Sequence, residues 1–371
     1  MPSRSCTDSG LAGGPDAKKA GRFRSYNKWL KENFGERVYK VVVDAGFTCP
    51  NRDGTVAVGG CAYCNNNSFR PPSAIKTDPI RGQVREGIEY IRKRFDAHKF
   101  IVYFQPFSNT YAETDYLREL YADAIDHPEV VGLAIGTRPD CVDEEKIRMI
   151  EGIGRRTFVS LEFGVESIHD GTLRRMNRGH DYAAFLRALE LTRGRGIHMG
   201  AHVILGFPWE TRDEWLAMAD EMSRIGVDAL KIHHLHIVRG AALAAEYARR
   251  PFSVLGYDEY LDLLCDFVER LDPNIVIERM FGEAPLDLLV APNWRRNKND
   301  LMADIQRKFE ERDVRQGRQC RSLLPRLSEE GWMRGQEEDA KPPNPRRRGG
   351  VLNCDTPPRP SGAPPQRGGE E

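Results

Sequence analysis

Three cysteines lie close together in the first fifth of the chain, at Cys49, Cys61 and Cys64. They stand in a stretch rich in glycine, asparagine and proline, which is typical of a loop. Three thiolates in one loop can hold a soft metal centre and leave one coordination position free for a substrate or cofactor. The spacing therefore predicts a metal centre that takes part in chemistry.

Spacing alone leaves two kinds of metal centre equally favoured. Cys61-x-x-Cys64 is common in zinc sites, although the sequence offers no second Cys-x-x-Cys or His-x3–5-His pair as a matching half. A redox-active dithiol would not use Cys49. A 4Fe–4S cluster held by all three cysteines, with one iron open to a substrate or cofactor, is the other reading.

The amino-acid composition and the net charge exclude several classes of protein. The 371 residues are 40% hydrophobic and 30% charged, and 55 basic residues balance 55 acidic ones, so the global charge predicts no polyanionic partner. No apolar run approaches the roughly 20 residues that span a bilayer, and the first residues lack the hydrophobic core of a signal peptide. Eight cysteines over this length are too sparse for a disulfide framework. We therefore expect a cytoplasmic protein without membrane contact.

The chain divides into a central domain and two polar ends. Residues 1–21 read as a disordered leader. Residues 319–371 read as a low-complexity, disordered tail, because 8 of the 23 prolines fall in the last thirty residues. The central domain is expected over 22–318.

Short apolar runs alternate with amphipathic stretches through the central domain. The runs are continuously apolar, as expected for parallel strands covered on both faces. The predicted strands are 38–43, 100–104, 130–135, 157–162, 199–205, 229–235 and 275–280. The predicted helices are 78–95, 114–127, 143–151, 182–195, 211–225 and 257–271, and several open on a capping residue, such as Asp143 or Thr211. Repeated β-then-α units make an α/β fold with a parallel sheet, doubly wound or curled into a barrel, whose chemistry lies at the carboxyl ends of the strands.

Four phrases of the sequence carry a family resemblance: Val38-Tyr-Lys, Asp44-Ala-Gly-Phe-Thr-Cys-Pro-Asn-Arg-Asp-Gly, Gly136-Thr-Arg-Pro-Asp-Cys and Asn177-Arg-Gly-His. With the three cysteines they make the chain resemble the radical S-adenosylmethionine (radical SAM) superfamily. Within it, the chain is most similar to the uncharacterised bacterial YhcC-like family, which is related to the radical-SAM subunit of the elongator complex. Eleven residues separate the first two cysteines, where the superfamily usually has three, and this departure matches that subgroup.

The resemblance covers about 22–318 and implies both fold and cofactors. The fold would be a partial (β/α)6 TIM-like barrel of parallel strands with a C-terminal helical extension. Cys49, Cys61 and Cys64 would hold a 4Fe–4S cluster whose fourth iron binds S-adenosylmethionine (SAM). An external one-electron reductant, similar to flavodoxin or ferredoxin, would supply the electron.

The resemblance also implies contacts to SAM after the first three strands. Tyr63 would lie against the adenine, with simple loop packing as the alternative. Gln105, Ser108 and Asn109 occupy the position where the superfamily usually has a Gly-Gly-Glu-type turn for the methionine amino group. Arg138 at a strand's carboxyl end would grip a carboxylate, unless it only forms a surface ion pair.

Three further contacts follow the next strands. Glu166 and Arg178 match the spacing of residues that contact the SAM ribose and carboxylate in relatives, and a structural Glu166–Arg178 ion pair is the alternative. His202 stands where relatives often carry an aspartate, with a buried structural histidine as the alternative.

The sixth predicted strand carries an unusual set of polar residues. By strand alternation, Lys231 and His233 share one face, and His234 and His236 the other. One face would line the barrel interior and meet substrate, or else the strand lies near a sheet edge.

Two functions of different classes follow. The first is a radical SAM enzyme that abstracts hydrogen from an unidentified substrate, either RNA or a small metabolite. The second is a zinc-stabilised RNA-binding protein without catalysis.

Overall fold

The computed structural model of the chain describes residues 21–65 and 79–320. The predicted leader and tail therefore lie outside the described residues, apart from Gly21, Gln319 and Cys320. Within the described ranges, the strands are β1 (Val38–Val43), β2 (Lys99–Phe104), β3 (Val130–Thr137), β4 (Phe158–Glu166), β5 (His198–Leu205), β6 (Ala229–His234), β7 (Ile237–Val238), β8 (Val276–Arg279) and β9 (Leu289–Ala291).

Seven of these strands form one parallel sheet in the order β1-β2-β3-β4-β5-β6-β8. Every residue of β4 except the last is buried, which explains why such runs are apolar throughout rather than alternating. The sheet curls, because Lys40 of β1 and Glu278 of β8 lie 2.7 Å apart although they belong to its two edge strands. The predicted partial barrel is confirmed, with a seventh strand beyond the six β-then-α units.

Helices cover the outer face of the sheet and extend beyond it. They are α1 (Tyr26–Phe34), α2 (Ile80–Phe95), α3 (Thr114–Ala124), α4 (Glu144–Gly154), α5 (Asp170–Arg175), α6 (Tyr182–Thr192), α7 (Arg212–Ile225), α8 (Ala242–Arg249), α9 (Tyr257–Arg270) and α10 (Lys298–Glu311). Both predicted caps are confirmed. Asp143 accepts from the backbone N–H of Lys146, and Thr211 forms a reciprocal capping box with Glu214.

Helix α1, which the sequence patterns do not predict, lies at the amino-terminal end of the half-barrel. Its Trp29 ring packs 5.6 Å from the ring of Phe158 and 4.8 Å from that of His198, both at the first residues of their strands. The backbone just before the helix joins β8, since the Ile277 N–H donates to the Arg24 carbonyl at 2.8 Å. The helix therefore covers this end of the barrel near the gap between the two edge strands.

The C-terminal part of the described chain adds a small antiparallel sheet of β7 and β9 and the predicted helical extension, α10. Helix α10 packs on α9, where Lys308 and Asp262 form an ion pair at 2.9 Å. None of the helices in the two described ranges is both long and apolar enough to cross a membrane. The opposite, carboxyl end of the parallel strands is left open to hold a site.

Candidate active site

A cavity of about 220 Å³ lies at the carboxyl ends of the parallel strands, and Cys49, Cys61 and Cys64 all line it. The cysteine loop follows β1 directly, so the topology brings it to this end of the sheet. Seven of the eight residues predicted to contact SAM also line the cavity: Tyr63, Gln105, Ser108, Arg138, Glu166, Arg178 and His202.

The segment after α5 anchors the cysteine loop. The Asn177 amide donates to the carbonyl oxygens of Val58 and Gly60 at 3.0 and 2.9 Å, and the Asn51 amide donates to the Asn177 carbonyl. Gly179 makes the closest approach: its φ is +79°, and a Cβ there would lie 2.7 Å from the Val56 side chain. A loop without regular secondary structure is thus fixed by side-chain hydrogen bonds and one backbone contact.

Arg178 links this anchor to a predicted metal ligand. Its Nη1 lies 3.4 Å from Sγ of Cys61, and its Nη2 donates to the Gly164 carbonyl at 2.6 Å. Burial disfavours the charged guanidinium, but Tyr63, Cys61 and Glu166 outweigh burial and raise the Arg178 pKa well above its ordinary value. The arginine therefore stays charged beside the thiol.

The Glu166–Arg178 ion pair named as an alternative is present. Oε1 of Glu166 lies 3.6 Å from Nη2 of Arg178, and both side chains are largely buried. Glu166 also adopts a φ of +68°, an uncommon conformation for a residue other than glycine. This pair and a role toward a ligand are compatible, since both side chains line the cavity.

Cys64 has a second cation beside it, which the sequence patterns do not single out. Nη2 of Arg52 donates to the Cys64 carbonyl at 3.1 Å and lies 3.6 Å from Sγ of Cys64. Burial, with the neighbouring Cys61, nevertheless raises the pKa of the Cys64 thiol to about 11. The thiol is therefore protonated at neutral pH unless a metal ion displaces the proton.

The polar residues of the loop after β2 lie in two different places. Gln105 and Ser108 line the cavity. Asn109 lies behind them, fully buried, and its amide donates to the carbonyl oxygens of Phe104 and Gly136 at 3.1 and 2.8 Å. Asn109 therefore joins the ends of β2 and β3 rather than facing the cavity.

Arg138 forms an ion pair, but a buried one instead of the surface pair considered from the sequence. It is 2% exposed, and its Nε and Nη2 donate to the two carboxylate oxygens of Asp140 at 2.9 and 2.6 Å. The remaining nitrogen, Nη1, is buried without a hydrogen-bond partner in the part of the chain that the structure describes. A buried guanidinium with one unused donor can receive an anionic or carbonyl group of a ligand.

Tyr63 packs as well as lining the cavity. Its ring lies 6.3 Å from that of Phe207, within a small apolar cluster at the start of the loop after β5. Loop packing, the alternative considered for this residue, is therefore present, and the ring still borders the cavity.

A network of buried charges forms the inner floor of the cavity. Nζ of Lys40 lies 2.7 Å from the carboxylates of both Glu162 and Glu278, and Lys231 pairs with Glu162 and with the Tyr103 hydroxyl, the latter at 2.9 Å. Burial alone would raise the Glu162 pKa, but Lys231 and Lys40 hold it well below its ordinary value. Ion pairs inside the barrel thus connect four strands that are far apart in sequence: β1, β4, β6 and β8.

His202 belongs to this network. Its Nε2 lies 3.3 Å from Oε2 of Glu162, and burial together with the charge of Lys231 lowers its pKa. The structural histidine considered from the sequence is therefore present, although the ring also lines the cavity.

The histidines of β6 follow the predicted strand alternation: the His233 ring lies 6.0 Å from that of His202 inside the barrel, whereas the His234 ring packs on Tyr260 of α9. Strand β6 ends at His234, and the chain beyond it turns, so that His233, His234 and His236 all border the cavity. Nε2 of His236 lies 2.7 Å from Nε2 of His234, whose ring stacks on Trp294 at 4.0 Å. Strand β6 lies between β5 and β8, so these histidines are not at a sheet edge.

The sequence patterns miss Lys40, Arg52, Glu162, Glu278 and Arg279 as members of this region. Lysines inside otherwise apolar strands are the signal that could have found part of this set, since an unpaired buried ammonium is too costly to occur without a partner.

Comparisons with known proteins agree with this geometry. A model of the radical SAM superfamily matches residues 49–222, and a model of the radical SAM C-terminal domain matches 227–311. The uncharacterized protein YtqA of Bacillus subtilis is 33% identical over 312 residues, which cover 84% of this chain and 96% of YtqA. Protein YhcC of Escherichia coli is 33% identical over 297 residues, which cover 80% of this chain and 95% of YhcC.

A solved structure shares the fold. The archaeal Methanocaldococcus infernus Elp3 with an N-terminal deletion superposes with a TM-score of 0.59 and 19% sequence identity. The match covers 75% of this chain and 64% of the archaeal one.

Proposed function

Because the chain belongs to the radical SAM superfamily, we propose that it is an enzyme that uses a 4Fe–4S cluster and SAM to abstract hydrogen from a substrate. One observation supports this most directly: three cysteines and seven candidate SAM contacts border one cavity at the carboxyl end of a parallel half-barrel. Parallel α/β folds place their chemistry at that end.

The donor set of the cavity suits an iron–sulfur cluster. Soft thiolates are the ligands that such clusters take, and N–H groups beside the sulfurs stabilise their negative charge. Asn51 and Arg178 aim N–H groups at Sγ of Cys61, and Arg52 does so at Cys64. Within 21–65 and 79–320, no three His, Cys, Asp or Glu side chains are arranged to hold a single metal ion. A cluster requires the three thiolates to surround one cubane rather than one ion, because each thiolate binds a separate iron.

The chemistry that this group supplies when bound is reductive cleavage of SAM, which yields a 5′-deoxyadenosyl radical able to remove a hydrogen atom from a substrate. The chain's own residues would bind SAM and orient it. Arg178 and Glu166 would hold the charged and hydroxyl groups of SAM, Arg138 would offer its unused Nη1, and Tyr63 would border the adenine. Asn109 would position this wall by joining the ends of two strands.

The remaining polar residues hold other side chains in place and exclude water. Glu162 holds His202 and the Lys231 ammonium at fixed positions on the inner wall, where Gln105 and Ser108 complete the rim. Burial of these groups excludes water from the inner end of the cavity, which protects a reactive intermediate. The substrate in this proposal is RNA or a small metabolite, and a flavodoxin- or ferredoxin-like protein supplies electrons in the cytoplasm, where thiolates stay reduced.

Anaerobic reconstitution tests the proposal against a zinc-stabilised RNA-binding protein. We expect brown protein with about four iron and four sulfide per chain, as for one cluster. With SAM and dithionite it should release 5′-deoxyadenosine. Colourless protein with one bound zinc and no SAM cleavage would refute the enzyme.

A further inference from the structure

The cavity is lined by one arginine, Arg279, whose guanidinium contacts no other residue of the described ranges through an ion pair or hydrogen bond. The other cations there each have a partner: Arg138 pairs with Asp140, Arg178 with Glu166 and Lys231 with Glu162, and Arg52 donates to Cys64. Arg279 at the end of β8 has no ion pair or hydrogen bond from its guanidinium to any residue in the part of the chain that the structure describes, although it lines the same cavity.

Arg279 is held beside two polar neighbours. The pairing of β6 with β8 sets Arg279 opposite Lys231, and its charge, after burial, contributes to lowering the pKa of His233. The ring of His233 lies 6.0 Å from that of His202, so two imidazoles face this part of the cavity. Lys231 itself is occupied by Glu162 and the Tyr103 hydroxyl, so Arg279 is the cation of this pair that has no ion-pair partner among the described residues.

The loop after β8 packs closely on the two histidine rings. A Cβ at Gly282 would lie 3.1 Å from Nδ1 of His233 and 3.1 Å from Cε1 of His236, so the backbone passes close to both rings without a side chain between them. Arg279 is exposed and also lines the cavity, so the cavity reaches solvent beside it. The guanidinium is therefore accessible to a ligand that enters the cavity at this point.

We propose that Arg279, assisted by the His233 ring, binds an anionic group of the substrate, a carboxylate or a phosphate, at the β6–β8 wall of the cavity. A guanidinium matches the two oxygens of either group with two parallel N–H donors, and a neutral imidazole adds one more donor. The inference rests on the proposed function, since it assigns the group to the substrate that the enzyme would act on. SAM, by the family resemblance, has its carboxylate at the cysteine end.

The test uses the cluster-loaded full chain with saturating SAM and no reductant, so that the SAM site is filled and no cleavage occurs. Inorganic phosphate and, separately, acetate are titrated while the imidazole signals of His233 are followed by NMR, assigned with the His233→Gln variant. We expect a saturable shift with at least one anion, and at least tenfold weaker binding in Arg279→Met. Arg249→Met, which changes an exposed arginine on α8, should bind the anion as the unchanged protein does.

Three results would overturn the inference: no saturable shift with either anion, equal binding by Arg279→Met, or shifts that appear only when SAM is left out. The last would assign the anion to the SAM carboxylate position. Release of 5′-deoxyadenosine by the unchanged protein with SAM and dithionite is measured in parallel. Failure of that reaction with anion binding intact would refute the proposed function and leave the anion site standing.

Discussion

The guanidinium of Arg178 lies 3.4 Å from Sγ of Cys61, a residue 117 positions earlier in the chain. The same guanidinium holds the Gly164 carbonyl and faces Glu166, so its place beside the sulfur is fixed from two sides. A donor and a positive charge next to a thiolate stabilise added negative charge. In the proposed enzyme, the pair would therefore connect the half-barrel wall to the electronic properties of the cluster.

Arg178→Met should lower the midpoint potential of the reconstituted cluster. Loss of a charge-assisted hydrogen bond to a ligand sulfur disfavours the reduced, more negative state by about 1.4 kcal/mol, equivalent to about 60 mV for one electron. Arg178→Lys, which keeps the charge but not the planar fork, should shift the potential less. A redox titration followed by electron paramagnetic resonance measures both, and unchanged potentials in cluster-loaded variants would contradict the prediction.

Cys64→Ala should abolish assembly of a stable cluster, because two thiolates cannot hold three irons. Iron content and the visible absorption after anaerobic reconstitution report the loss. Cys265→Ala is the matched control, since this thiol is buried in α9 away from the cavity and should leave the iron content unchanged. A full cluster in Cys64→Ala would show that the ligand assignment is wrong.

Gly179→Ala should loosen the cysteine loop. The new methyl group would clash with the Asn51 amide and the Val56 side chain, at a backbone φ of +79° that disfavours alanine. We expect a loss of about 1–3 kcal/mol of stability together with reduced iron uptake. Gly171→Ala meets open space within α5 and should be neutral or slightly stabilising. Equal melting temperatures and iron contents for both variants would count against the anchoring role.

Glu162→Gln should be strongly destabilising. The carboxylate is fully buried and neutralises Lys40 and Lys231, so its removal leaves buried charge without compensation, at a cost of about 3–5 kcal/mol. Denaturant unfolding measures the loss. Adding Lys231→Met removes one of the stranded charges and should recover part of it. A double variant no more stable than Glu162→Gln would mean that the network does not act as a unit.

Acidification should destabilise the fold through His236. Burial lowers its pKa to about 4, while Glu283 opposes the shift and the facing His234 is itself held neutral by burial. Between pH 6.5 and about 4 the unfolded chain binds a proton that the folded chain does not, so stability falls as pH falls, by about 1.4 kcal/mol per pH unit for this histidine.

The His236→Gln variant provides the comparison for that slope. Its free energy of unfolding should decline less between pH 7.5 and pH 5.5 than that of the unchanged protein. Parallel declines would show that another group is responsible.

The strands could be predicted because burial on both faces leaves a local signature. The continuous run over β1 ends at the same residues in sequence and structure, and Asp143 and Thr211 cap the helices expected of them. The charge network could not be predicted, because Lys40 pairs with Glu162 and Glu278 at separations of 122 and 238 residues. Such pairs carry no periodicity that a window of sequence can detect.

The histidines of β6 also show what a sequence pattern cannot predict. Alternation assumes that a strand continues. It describes His233 and His234 within β6, but it could not fix the place of His236, because β6 ends at His234. Asn109 was expected toward a ligand, but it lies behind the wall because its amide satisfies the carbonyl oxygens of two strand ends. The sequence patterns do not predict helix α1, because its first turn carries no acidic residue and only three of its residues are buried.

The ion pair between Lys40 and Glu278 has a consequence for biosynthesis. Lys40 emerges from the ribosome long before Glu278 is synthesised. Until then, the Lys40 ammonium in the nascent barrel lacks one of its two carboxylate partners. The cysteine loop and most of the sheet emerge in that interval, before the inner floor can close. Insertion of metal while the chain is still growing would therefore reach an interior that the last strand later shuts.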